Sequence, residues 1–169
     1  MKAVVVDGYN LVHSQPRLKA ALREGHEQAR EALIKELSPL ASPGRYDLLM
    51  VVFDAAGSSQ LEPAVENRLG IIVVYTRRGQ SADAFIEAAV KHLVTEAEVE
   101  VSTSDRAVRD VCAGFGARPL DPSTLLELGE EASSDISREI QDMKKDNRSP
   151  LEDRVSKEVR HLLDEMRYH

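Results

Sequence analysis

Only one cysteine, Cys112, occurs in the 169 residues, so no internal disulfide framework exists. Flanked by Val111 and Ala113 in an apolar helical stretch, it reads as a buried thiol and fits a reducing compartment. Long apolar runs are missing as well. From Lys2 the chain enters a short hydrophobic stretch that stops at Asp7, too brief for a signal-peptide core or a membrane span. A cytoplasmic protein with no membrane partner is therefore expected. No low-complexity tract, internal repeat or break in composition marks disorder or a second domain, which leaves a single domain over residues 1–169 as the expectation. The Gly-x-Gly-x-x-Gly and P-loop signatures of nucleotide binding do not occur. Basic excess is lacking too: a net charge of −7 and a pI near 5.3 argue against capture of nucleic acid by bulk electrostatics. They leave open a site whose acids hold metal cations, because a bound cation reverses the field where a phosphate approaches.

What the chain does contain is an alternation of strand-like and helix-like segments. The β-branched run at residues 3–6 predicts a fully buried strand, ended by the Asp7-Gly8 turn signal. Residues 48–53, after a Pro43-Gly44 turn, predict a second strand that stops at Asp54. Residues 71–75 predict a third, and residues 99–101 a shorter fourth running into Thr103-Ser104-Asp105. Between residues 17 and 40, Leu18, Ala21, Leu22, Ala29, Leu33 and Leu37 recur at helical spacing, giving one helix or two with a break at Gly25. A further helix is predicted over 82–95. From Pro122 the chain is helical and charged, with Ser123 as a cap, Pro150 as a divider, and a stripe of Leu151, Val155, Val159, Leu162, Leu163 and Met166 beyond it. Strands separated by helices in this order imply an α/β/α sandwich around a mainly parallel sheet, with C-terminal helices over about 122–168 packed on it.

In such sheets ligands bind beyond the carboxyl ends of the strands. Asp7, Asp54 and Asp105 follow predicted strands at that edge, and Asp83 lies in the first turn of a helix starting from it. Each has a plain structural reading: a turn for Asp7 and Asp54, a helix-dipole partner for Asp83, an N-cap for Asp105. Convergence of the four favours chemistry. Clustered carboxylates repel unless a cation neutralises them, and hard oxygen donors select Mg²⁺ or Mn²⁺. A metal so held assists in-line hydrolysis of a phosphodiester. Asn10 is either an Asx-turn residue or an orienter of Asp7 or of a water on the metal. Arg77 and Arg78 in a Gly79-containing loop, together with Arg106 and Arg109, are solvated charges or contacts to an RNA backbone. His13 reads as a surface residue, and Lys144, Lys145 and Arg148 as a solvated helix face. A phosphatase with a nucleophilic aspartate would carry a second acid where Tyr9 stands, and a phosphorylated signalling domain would carry an acidic pair at the first strand end.

In series, Val6-Asp7-Gly8-Tyr9-Asn10-Leu11, Val52-Phe53-Asp54-Ala55, Ser81-Ala82-Asp83 with Ile86-Glu87, and Thr103-Ser104-Asp105 resemble the YacP-type, ribosome-associated endoribonucleases of the NYN-domain, PIN-like class. The likeness extends to the C-terminal Ser149-Pro150-Leu151-Glu152-Asp153-Arg154. It implies a PIN-like fold, an acidic metal site of Asp7, Asp83 and Asp105 with Asn10 beside it, and Asp54 as an accessory or structural acid. It also implies cleavage of single-stranded messenger RNA in the ribosomal A site, with the ribosome as partner. Two departures stand out. The segment from Thr76 to Gln80 is short, and Ala84 occupies the place of a second acid, for which Glu87 is the available replacement. Ala84 is the feature that favours the alternative, a catalytically impaired module that binds RNA or the ribosome.

Overall fold

A computed structural model describes residues 1–42, 44–54 and 63–146, with side chains through 143. The first strand, β1 (Lys2–Asp7), is the hub of the fold: Ala3 to Val6 are fully buried and both sheet faces beside them are covered. Burial of each valine contributes roughly 1.5–3 kcal/mol, which is why a β-branched run so early in the chain becomes a central strand. It pairs in parallel with β2 (Leu48–Phe53) on one side and with β5 (Glu98–Ser102) on the other. Beyond β2 lies β4 (Ile71–Tyr75), also parallel.

Two strands complete the sheet that the sequence reading did not anticipate. Antiparallel to β4 runs β3 (Ala64–Arg68), an edge strand without inside-outside alternation, whose central Val65, Glu66 and Asn67 are all exposed. Charge on an edge discourages pairing with another chain and also hides the strand from hydrophobic patterning. The opposite edge is β6 (Arg118–Leu120), three residues long with Pro119 in it. The order β3-β4-β2-β1-β5-β6 makes a six-stranded, mostly parallel sheet.

Helices cover both faces. Directly after β1 comes α1 (Gly8–Ser14), followed by α2 (Pro16–Ala21) and α3 (His26–Leu37). Gly25 separates α2 from α3 with φ of 148°, where a side chain would be strained, so the two-helix alternative is the observed one. These helices and the start of α6 (Pro122–Asp146) enclose a core with Leu11, Leu33, Leu37, Phe53 and Leu125. On the other face α4 (Ala82–Leu93) and α5 (Arg106–Gly114) pack Ile86, Val90, Val108 and the buried Cys112 against Val5, Val52 and Val101. Burial, and Glu87 beside it, push the Cys112 thiol up to about 11, consistent with an inert core residue.

At the start of α6, Asp121 rather than Ser123 supplies the cap. Its Oδ1 accepts from the Ser123 backbone N–H at 2.9 Å and from the Ser123 hydroxyl at 2.7 Å. The helix begins in a compact unit, Met1–Ser133, and continues into a second that starts at Ser134. Pro43, Arg148, Pro150 and the stripe from Leu151 to Met166 lie outside the described residues. No helix among the described residues is long and apolar enough to cross a membrane.

Candidate active site

Asp7 ends β1 and caps α1. Its backbone is extended, and its Oδ1 accepts from the Asn10 amide at 3.1 Å. The Asp7-Gly8 pair, expected as a turn, therefore starts a helix without any loop. Gly8 makes that entry feasible, since a Cβ there would stand 2.3 Å from the Phe53 ring. Glycine lets α1 approach the end of β2 and holds the Asp7 carboxylate over the strand ends.

The neighbouring strand brings its own acid through a small hydrogen-bonded network. Buried Thr103 donates its hydroxyl to Asp7 Oδ2 at 3.4 Å and accepts from the Asp105 amide at 3.1 Å. Asp105 then caps α5, its Oδ1 accepting from the amides of Ala107 and Val108 at 2.8 and 3.3 Å. Asn10 closes the link. Its side-chain oxygen accepts from the Ser104 amide at 2.8 Å and the Ser104 hydroxyl at 2.9 Å. So Asn10 ties α1 to the loop between β5 and α5, and its own N–H orients Asp7. Sequence reasoning missed Thr103 and Ser104 as site residues, although the Thr-Ser-Asp triplet placed them beside an acid.

From the third direction comes Asp83, in the first turn of α4, which Ser81 caps through the Ala84 amide at 3.2 Å. The acids lie within reach of one another's charge. Burial pushes the Asp7 carboxyl above its ordinary 3.8, as do the charges of Asp83 and Asp105, while the bonds from Asn10 and Thr103 pull it back. Asp83 is likewise raised, first by burial and then by Asp105 and Asp54. Asp83 and Asp105 thus act on Asp7, and Asp105 and Asp54 on Asp83, at one rim of the sheet. The N-terminal ends of α1, α4 and α5 meet there too, and their partial positive charge offsets part of the repulsion.

The remaining expected residues are distributed around this rim. Glu87, one turn along α4 from Asp83, acts on Cys112. Arg77 and Arg78 are exposed in the turn between β4 and α4, where Gly79 has φ of 78°. Arg106 is exposed at the start of α5 and pairs with Asp110 at 3.7 Å. Arg109 acts on Asp121, and His13 is exposed on α1.

A divalent cation fits the chemistry of this donor set: every nearby ligand is a hard oxygen, and the repulsion that raises Asp7 and Asp83 is what such a charge relieves. Among the described residues, no three or more His, Cys, Asp or Glu side chains are grouped closely enough to hold a metal ion between them.

The chain is similar over its length to known proteins. A crystal structure of Rae1 (YacP) from Bacillus subtilis superimposes with a TM-score of 0.71 at 27% identity, covering 99% of this chain and 95% of that one. A crystal structure of a mutant form of the same protein gives a TM-score of 0.71 at 26% identity, over 88% and 87% of the two chains. In sequence, the YacP protein of Bacillus subtilis (strain 168) is 30% identical over 141 residues, 83% of this chain and 82% of that protein. The fold is therefore the PIN-like α/β fold that the motifs implied. The model of the YacP-like NYN domain matches residues 4–168, and the chain belongs to that family.

Proposed function

We propose that this protein is a metal-dependent endoribonuclease that hydrolyses single-stranded RNA, with messenger RNA in the ribosomal A site as its substrate and the ribosome as its partner in the cytoplasm. Membership of the NYN domain family and the relation to Rae1 (YacP) support a nuclease-type function on RNA. The observation that carries the reading is the placement of Asp7 at the end of β1, of Asp105 linked to it through Thr103, and of Asp83 in the first turn of α4, within reach of one another's charge.

Asp7, Asp83 and Asp105 would hold Mg²⁺ or Mn²⁺, directly or through water, with Asp54 and Glu87 as further acids nearby. When bound, such an ion supplies charge neutralisation at a phosphoryl oxygen and lowers the pKa of water. The chain's own groups set the geometry. Thr103 and the Asn10 amide fix the two oxygens of Asp7, and the Asn10 side chain holds the loop that carries Asp105. Arg77, Arg78 and Arg106 are exposed around the rim, where they would contact the RNA backbone. In-line attack by water with departure of the 3′ oxygen leaves 5′-phosphate and 3′-hydroxyl ends.

One observation favours a second reading, an RNA- or ribosome-binding module of impaired catalysis. Ala84, whose amide bonds to Ser81, brings no second acid to the start of α4. Cleavage assays on free RNA and on ribosome-bound message separate the two. The nuclease reading expects cutting in Mg²⁺ or Mn²⁺ that stops in excess EDTA and in Asp83→Asn. Ribosome co-sedimentation without cleavage at any metal concentration would establish the binding module instead.

A further inference from the structure

Beside the acids, on the same rim, stands a cation that the proposed chemistry does not use. Arg30 of α3 is half-buried, and its Nη1 donates to the Tyr9 hydroxyl at 3.2 Å. Its guanidinium lies over the ring of Tyr75, 5.2 Å from the centroid. Tyr75 stacks at 6.0 Å on Phe53, which meets Tyr9 edge-on at 5.1 Å, so three aromatic rings fix the position of one cation. Nε is buried and has no hydrogen-bond partner, and among the described residues Arg30 forms no ion pair.

That combination is costly in a chain of net charge −7. A guanidinium partly withdrawn from water without a carboxylate loses solvation at its buried Nε that one tyrosine hydroxyl and one ring face do not restore. Acids elsewhere on the surface capture arginines readily, as Glu36 does Arg17 at 2.9 Å. Arg30 instead keeps donors of its planar fork unspent, and such a fork matches phosphate. Tyr75 ends β4, two strands from Asp7 at the end of β1, with β2 between them. At strand spacing this is about 10 Å, the scale of one to two nucleotides of an extended strand.

We propose that Arg30 is a backbone-phosphate anchor for single-stranded RNA, positioned by Tyr9 and Tyr75, seating the strand one or two nucleotides from the acidic rim. The inference rests on the reading of the protein as acting on RNA and deepens it by naming where the strand runs.

The test uses the full chain and a labelled ten-nucleotide single-stranded RNA, with binding read by fluorescence anisotropy in EDTA across a salt series. Arg30→Ala should weaken binding roughly 10-fold, with the slope of log K against log salt shallower by about 0.7. Arg30→Lys, which keeps the charge but not the fork, should weaken binding several-fold with the slope retained. Tyr9→Phe, which removes only the hydroxyl that holds Nη1, should cost a smaller factor. In cleavage assays Arg30→Ala should raise KM and leave kcat nearly unchanged. Unchanged affinity and slope in a folded Arg30→Ala would overturn the proposal. If that variant does not fold, unchanged affinity in Arg30→Lys overturns it, and weakened affinity supports it. Wild-type protein that cuts RNA with an Arg30→Ala of equal KM leaves the nuclease reading standing without this anchor. Binding that depends on Arg30 in a protein that never cuts supports the anchor and removes the nuclease. Wild type that fails to bind the RNA at any salt concentration overturns the anchor.

Discussion

On the amino-terminal side of the acidic rim, Glu100 at the centre of β5 accepts from the Tyr46 hydroxyl at 2.5 Å and pairs with Lys2, the first residue of β1, at 3.5 Å and with Arg118 at 3.9 Å. At the carboxyl ends of the same strands, Asp7 and Asp105 share a rim with Asp83 and Asp54 and form no ion pair among the described residues. One sheet thus compensates its acids at one edge and leaves them mutually repelling at the other. The compensated edge does structural service. The other stores a repulsion that a ligand can relieve, so stability and function are separable along a single strand.

The largest expected effect falls on the uncompensated edge. Asp7→Asn should lower RNA cleavage by roughly 10² to 10³, the scale of losing one preorganised charge. The same change should raise the melting temperature of the metal-free protein, by about 2–4 °C for each kcal/mol of repulsion removed. Divalent metal should then raise the melting temperature of wild type more than that of Asp7→Asn, because binding to the folded state alone stabilises it. A fall in stability on Asp7→Asn would remove the contrast between the edges. Next in size, Asn10→Ala frees the loop carrying Asp105 and should cost about 10- to 100-fold in metal affinity or activity, measured by metal titration and initial rates.

At the compensated edge, Glu100→Gln should cost about 0.5–1 kcal/mol, since its partners are partly exposed, and should leave cleavage unaltered. Chemical denaturation and the cleavage assay together check this. Smallest is the effect of pH on metal-free protein. Asp7 and Asp83 have carboxyls raised on folding, so their contribution to stability is full below the ordinary 3.8 and is lost as pH rises through the raised values. Melting temperatures across that range should show this loss in wild type and less of it in Asp7→Asn.

Much of this was legible in the sequence, because β1, β2, β4 and α4 carry their burial in their composition: Ala3 to Val6, Leu48 to Phe53 and Ile71 to Tyr75 have few alternatives. The placement of Asp7 at a strand end and of Asp83 and Asp105 at helix starts followed from a parallel sheet directing strand ends and helix starts to one edge. What escaped was decided by contacts, not composition. Residues 64–68 become a strand through pairing with β4, despite Glu66, Asn67 and Arg68. Gly8 begins a helix because Phe53 fills the space a side chain would need. Arg30, Tyr9 and Tyr75 are far apart in sequence and share no motif, so only the fold assembles them.

The capping role of Asp7 and Asp105 divides the labour within each carboxyl group. In both, Oδ1 is committed to the amides that open a helix, at 3.1 Å in Asp7 and at 2.8 and 3.3 Å in Asp105. Asparagine retains that committed atom and replaces its twin with an amide that repels cations. At Asp105 architecture and chemistry can therefore be parted by exchanging a single oxygen for nitrogen, whereas at Asp7 the exchanged atom is also the one that accepts from Thr103.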